Sequence, residues 1–128
     1  MFRVKDVMTE EVIACRADDP LDSAVRAMRD RGCGCIPVLD ASKRVVGLVT
    51  MRDAVMCALR EMKPLFDLRV SEACTRGVVC CDSDDTLDRA ETLMRVNQVR
   101  RLPVVDAEGV LVGLRARCRG RPRGGRLL

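Results

Sequence analysis

The chain has 128 residues, 48% hydrophobic and 33% charged, with eight cysteines, two phenylalanines (Phe2 and Phe66) and no histidine, tryptophan or tyrosine. That is the composition of a folded domain, and the missing histidine excludes Ser-His-Asp and Cys-His catalytic pairs and every His-ligated zinc or haem site. The formal charge of +4 is unevenly spread: residues 115–128 hold six arginines and no acid, which leaves −2 over residues 1–114. So few rings also exclude a stacking platform for single-stranded bases. No apolar run approaches the roughly 18 residues of a membrane span. The polar opening MFRVKDVMTEE lacks the pattern of a signal peptide, and a cytoplasmic location is expected.

In chain order, the apolar stretch Val12-Ile13 predicts a short strand that leads into an acidic turn. In that turn Asp19 suits an N-cap, Pro20 the first helical position and Asp22 the spacing of a capping box. A helix of about a dozen residues follows, with Leu21, Ala24, Val25 and Met28 recurring on one face. Cys35 to Leu39 and Val45 to Val49 then form a hairpin across the polar turn Asp40 to Arg44. A last helix runs from about Met51 to Glu61 and stops before Pro64, which disfavours helix at the residue ahead of it.

The same pattern then repeats. A shift that carries Val4 onto Val70 aligns 4–48 with 70–114 without a gap, with roughly 18 of the 45 positions identical. Asp18-Asp19-x-Leu21-Asp22-x-Ala24 recurs as Asp84-Asp85-x-Leu87-Asp88-x-Ala90, and Pro37-Val38-x-Asp40-Ala41 as Pro103-Val104-x-Asp106-Ala107. The expected fold is α+β: two β-α-β-β-α repeats packed on each other with pseudo-twofold symmetry, since neither buries enough core alone. The expected boundaries are 1–62 for the first repeat, 63–69 for a linker, 70–114 for an incomplete second repeat and 115–128 for a disordered, arginine-rich tail. After Gly113-Leu114 the copy breaks down: Arg115, Ala116 and Arg119 stand where the first repeat has Val49, Thr50 and Asp53, and the final helix is missing from the pattern.

The cysteines read mainly as small buried packing residues. Cys33-Gly34-Cys35 and Cys80-Cys81 have neither redox-dithiol nor zinc-knuckle spacing, so no metal ligand is assigned, and a thiol or metal sensor stands as one alternative function. The tail supplies another. Arg119-Gly120-Arg121-Pro122 is similar to the core of an AT-hook, in which Arg119, Arg121 and Arg123 would enter the minor groove of A·T-rich DNA.

The runs Val4-Lys5-Asp6-Val7-Met8-Thr9, Ile36-Pro37-Val38-Leu39-Asp40 and Val46-Gly47-Leu48-Val49-Thr50-Met51-Arg52-Asp53 resemble a cystathionine-β-synthase (CBS) domain, and the duplication resembles a tandem CBS pair, or Bateman module. The resemblance implies a stand-alone, non-catalytic regulatory module. It would need no cofactor, would bind AMP, ADP, ATP or S-adenosylmethionine in a cleft between the repeats, would assemble as a homodimer and would control a partner protein. It also implies that Gly47 to Asp53 marks the cleft and that adenine lies near Val12, Ile13, Cys35, Ile36 and Pro37.

The residues themselves fit that chemistry. Thr50, at a strand-to-helix junction, can present its hydroxyl and the first-turn N–H groups to a phosphate. Asp53 can accept from two ribose hydroxyls, and Arg52 can add charge. Thr50-x-x-Asp53 is equally a helix capping box that needs no ligand, and both readings stand at this point.

Overall fold

The computed structural model describes residues 2–10 and 12–116. The first repeat contains α1 (Val4–Val7), β1 (Cys15–Arg16), α2 (Leu21–Arg31), β2 (Cys35–Leu39), β3 (Val45–Thr50) and α3 (Met51–Glu61). A 3-10 turn at Leu65–Asp67 leads to α4 (Val70–Ala73), β4 (Thr75–Arg76), β5 (Cys81–Asp82), α5 (Leu87–Asn97), β6 (Arg101–Val105) and β7 (Leu111–Ala116). The architecture is α+β with two sheets, ordered β1-β2-β3-β4 and β5-β6-β7. In each, a parallel pair (β1 with β2, β5 with β6) adjoins an antiparallel hairpin (β2 with β3, β6 with β7).

Two cores follow from two amphipathic helices. Leu21, Ala24 and Met28 of α2 join Ile36, Val38 and Val49 in the first, with Ala54 and Cys57 of α3. Ala90 and Met94 of α5 join Cys81, Leu102 and Val104 in the second. Each core also takes the leading segment of the other repeat. Val4 is fully buried in the second core, while Leu68 and Val70 are buried in the first.

Matched hydrogen bonds fix this exchange. The Val4 N–H donates to Asp85 O and the Lys5 N–H to Ser83 O; correspondingly Val70 donates to Asp19 O and Ser71 to Ala17 O, all at 2.9–3.0 Å. Arg3 Nη1 reaches Asp84 O at 3.0 Å and Arg69 Nη1 reaches Asp18 O at 2.9 Å. Beyond these segments, β4 pairs with β3 through Gly47↔Arg76 and Leu48↔Thr75, and Thr9 bridges Leu114. The repeats therefore fold as one body, with the hairpin glycines at the crossing points. A Cβ on Gly47 would lie 2.7 Å from Thr75 O, and one on Gly113 would lie 2.5 Å from Met8 Sδ and 3.0 Å from Thr9 O.

Three local expectations change. The strand expected at Val12-Ile13 is shifted to Cys15–Arg16, because the parallel ladder to β2 begins at Cys15↔Val38; Ile13 is instead packed against the first core without a ladder partner. Pro20, not Asp19, is the N-cap of α2, held extended by Leu21 N–H donating to Leu68 O at 2.8 Å, while Asp19 accepts from the Arg16 N–H. Arg115 and Ala116, expected in the tail, continue β7 and pair with Leu102 and Arg101. Residues 117–128, and with them the expected loss of the final helix and the rest of the tail, lie outside the described residues.

Gly47→Ala should lower the unfolding free energy by about 1–3 kcal/mol, because backbone at the crossing must move. Gly34→Ala, whose added Cβ meets nothing within 4 Å, should change it by less than about 0.5 kcal/mol. Equal urea midpoints for the two variants would contradict the close approach at Gly47.

Candidate functional site

The site grows from the point where β3 becomes α3. Thr50 is extended (φ −116°, ψ 165°) and its Oγ1 accepts from the Asp53 N–H at 2.9 Å; Asp53 Oδ2 accepts from the Thr50 N–H at 3.0 Å. The Met51 N–H donates to Gly34 O at 3.0 Å. Of the four donors that open a helix, the Arg52 N–H is thus the one that finds no acceptor among the described residues. The expectation of a helix terminus with several free N–H groups for a phosphate is corrected: the cap and the neighbouring loop have taken three of them.

The same bonds leave two useful groups. Asp53 Oδ1 and the Thr50 hydroxyl proton have no hydrogen-bond partner among the described residues. Both side chains are half-buried. The capping box and a ribose-binding carboxylate are therefore compatible, because each uses a different oxygen of Asp53. Arg52 is exposed and lies about 100° round the helix from Asp53.

β2 supplies the wall. Ile36 (1% exposed) and Val38 point into the first core, so Cys35 and Pro37 lie on the opposite face of the strand. Cys35 is the ladder partner of Thr50 and is buried; Pro37 is buried, and its carbonyl accepts from Cys15 Sγ at 3.7 Å. Val12 and Ile13 are half-buried in the loop ahead of β1. Among the expected lining residues, Ile36 thus presents its side chain to the core.

The electrostatics identify a residue that the sequence reading overlooked. Burial pushes the Cys35 thiol up to about 11, Arg101 draws it down, and Asp53 and Cys33 push it further up. Arg101 opens β6 at the repeat position equivalent to Cys35, and its charge acts on the Cys35 thiol from the second repeat. The signal was available: aligning the repeats puts a guanidinium opposite a thiol. Burial, with Asp19 and Cys74 beside it, also pushes Cys15 up to about 12, and burial with Asp85 and its other neighbours pushes Cys81 to about 11.

The second repeat differs at the equivalent junction. Ala116 stands in the place of Thr50, and Arg115 in the place of Val49 is ion-paired to Glu91 Oε2 at 3.2 Å. Arg119, Arg121 and Arg123 lie outside the described residues. Among the described residues no group of three or more Cys, Asp or Glu is placed to hold a metal ion, and no helix is long and apolar enough to cross a membrane.

The sequence profile of the family described as CBS domain matches residues 4–60 and 70–114. Inosine-5'-monophosphate dehydrogenase of Methanocaldococcus jannaschii is 31% identical over 112 residues, covering 88% of this chain, and the chain spans 21% of that protein. The uncharacterized protein YlbB of Bacillus subtilis is 34% identical over 105 residues, covering 81% of the chain and 70% of its own length. Among solved structures, Hypoxic Response Protein I with two coordinated zinc ions superposes with a TM-score of 0.81 at 25% identity, covering 90% of this chain and 92% of that one. CBSX2 of Arabidopsis thaliana, in its complex with AMP, superposes with a TM-score of 0.79 at 26% identity over 91% of both chains.

Thr50→Ala should cost about 1 kcal/mol of stability through loss of the cap. Asp53→Asn, which keeps an oxygen for the Thr50 N–H, should cost less than half of that; a larger loss for Asp53→Asn in urea unfolding would contradict the box. The raised thiols give a second expectation. The folded chain keeps thiol protons that the unfolded chain releases near pH 9.0, so this stabilisation is complete below pH 9.0 and is lost as pH rises toward about 11 to 12. With no Tyr or Trp in the chain, ultraviolet thiolate absorbance reads this directly. The folded protein should lag the urea-unfolded one above pH 9, and coincident titrations would contradict the burial.

Proposed function

Because the chain belongs to the CBS domain family, as a tandem pair of repeats, we propose that it is a non-catalytic regulatory sensor whose Thr50–Asp53 cleft binds an adenosine-containing ligand. The observation that carries this reading is the divided use of Asp53. One carboxylate oxygen holds the helix cap, and the other has no partner among the described residues, beside a Thr50 hydroxyl still able to donate. A ribose diol supplies donors for the first and a phosphate an acceptor for the second. The likeness to the CBSX2 pair in its AMP complex supports the same ligand class. In this reading Val12, Ile13, Cys35 and Pro37 border the adenine, and Ile36 contributes through its backbone.

Binding would shift the pair toward one arrangement and so act on a partner. Support for a protein contact comes from α3, which is apolar on two sides: Ala54 and Cys57 are buried, while Val55, Met56 and Leu59 are exposed, Leu59 by 64%. We take a second copy of the chain as the occupant of this face. Leu59→Glu should then give a monomer by sedimentation where the parent chain is a dimer; a monomeric parent would remove the homodimer from the proposal. The free thiols among the described residues support a reducing, cytoplasmic compartment.

Calorimetric titration with AMP, ADP, ATP and S-adenosylmethionine tests the central reading. At least one should bind, and Asp53→Asn, folded but presenting an amide N–H₂ where the ribose needs an acceptor, should weaken it by about tenfold or more. Binding of none of the four, or undiminished binding by Asp53→Asn, would overturn it.

A further inference from the structure

We propose that two copies of the chain join through their first repeats alone, α3 packing antiparallel on the partner's α3 about a two-fold axis, with Arg52 set against the open carbonyl end of the partner's helix. The inference rests on the reading that a second copy covers α3, and adds which surfaces meet and in which direction.

The two repeats differ in what they leave uncovered. In the first, α3 packs on α2 and β3, and Val25 and Val49 of those elements join the core that it covers. The repeat relation sets Glu91 at the place of Val25 and Arg115 at the place of Val49, and these two form the 3.2 Å ion pair. An apolar pair beneath a helix has become a charged pair that water reaches. Burying it under a second copy would cost its desolvation. The exposed large apolar side chains divide in the same way: Val55, Met56, Leu59 and Met62 cluster on and just after α3, whereas Val96 stands alone over residues 70–116.

The α3 surface is also complementary to itself. Arg52, Val55, Met56 and Leu59 stand at i, i+3, i+4 and i+7 on one face of the helix. Arg52 is exposed and joins no ion pair among the described residues. At the other end, the Met62 and Lys63 N–H groups both donate to Ala58 O, so the carbonyls of Leu59, Arg60 and Glu61 accept no hydrogen bond among the described residues. An antiparallel contact centred between Val55 and Leu59 lays Val55 on the partner's Leu59. It brings Arg52 to the carbonyl end, where a helix carries partial negative charge. A parallel contact would instead oppose two copies of Arg52. The four apolar side chains expose roughly 500 Å² per copy, so the pair buries on the order of 1,000 Å², the size of a weak, micromolar dimer. Because the patch is its own complement, assembly closes at two copies.

Sedimentation equilibrium on the full chain at micromolar concentrations, without nucleotide, tests this. The parent should show monomer and dimer and no larger species. Arg52→Ala should raise the dissociation constant by about three- to thirtyfold, since the lost contact occurs twice in the dimer. Val96→Glu, on the second repeat, should leave it unchanged. An Arg52→Ala dimer as tight as the parent or tighter, dissociation by Val96→Glu, or growth beyond two copies would overturn this inference and leave the second-copy reading intact. A monomeric parent would overturn both.

Discussion

The crossing of each repeat's leading segment over the other repeat's hairpin governs the rest of the molecule. Gly47 and Gly113 allow it, because any side chain there would meet the crossing backbone or Met8. Val4 and Val70 make it favourable by entering the opposite core, each fully buried. A repeat of this size buries too little apolar surface to fold alone, and the exchange joins two weak cores into one cooperative body. It also sets the pseudo-twofold relation that makes Arg101 of one repeat the counterpart of Cys35 in the other.

The junction of β3 and α3 shows how a structural cap can leave polar atoms of its own residues unused. The capping box needs one oxygen of Thr50 and one of Asp53. What remains, one carboxylate oxygen and one hydroxyl proton, is complementary to a ribose and a phosphate. The two bonds of the cap restrain both side chains, so a ligand there would meet a preorganised pair and lose little affinity to ordering them. In the second repeat Ala116 and the Arg115–Glu91 pair replace these groups. The two halves are similar in fold and different in chemistry.

Much of the fold was legible in the sequence because the repeat made each pattern appear twice. The hairpin strands and α3 follow the periodicity of Cys35 to Leu39, Val45 to Val49 and Met51 to Glu61, and β3 extends one residue beyond it. What was not legible depended on contacts distant in the chain. Pro20 gave every local sign of an N1 position, but its extended backbone is set by the segment around Leu68 and Arg69. Val12-Ile13 looked like a strand because apolar residues under a core and apolar residues in a ladder have the same composition.

The site divides along the same line. Thr50 and Asp53 are neighbours in sequence, and their motif names them. Arg101 could be found in the sequence only by aligning the two repeats, which sets it opposite Cys35. The capping box was legible in Thr50-x-x-Asp53, but the use of the Met51 N–H was hidden, since it goes to Gly34 in a different loop.

A crystal structure of the chain with AMP tests the whole arrangement at once. The ribose hydroxyls should lie within hydrogen-bond distance of Asp53 Oδ1, with the capping box intact, and the phosphate should contact the Thr50 hydroxyl. AMP bound with its ribose away from Asp53, or with the Thr50–Asp53 box broken to admit it, would contradict this assignment of the cleft.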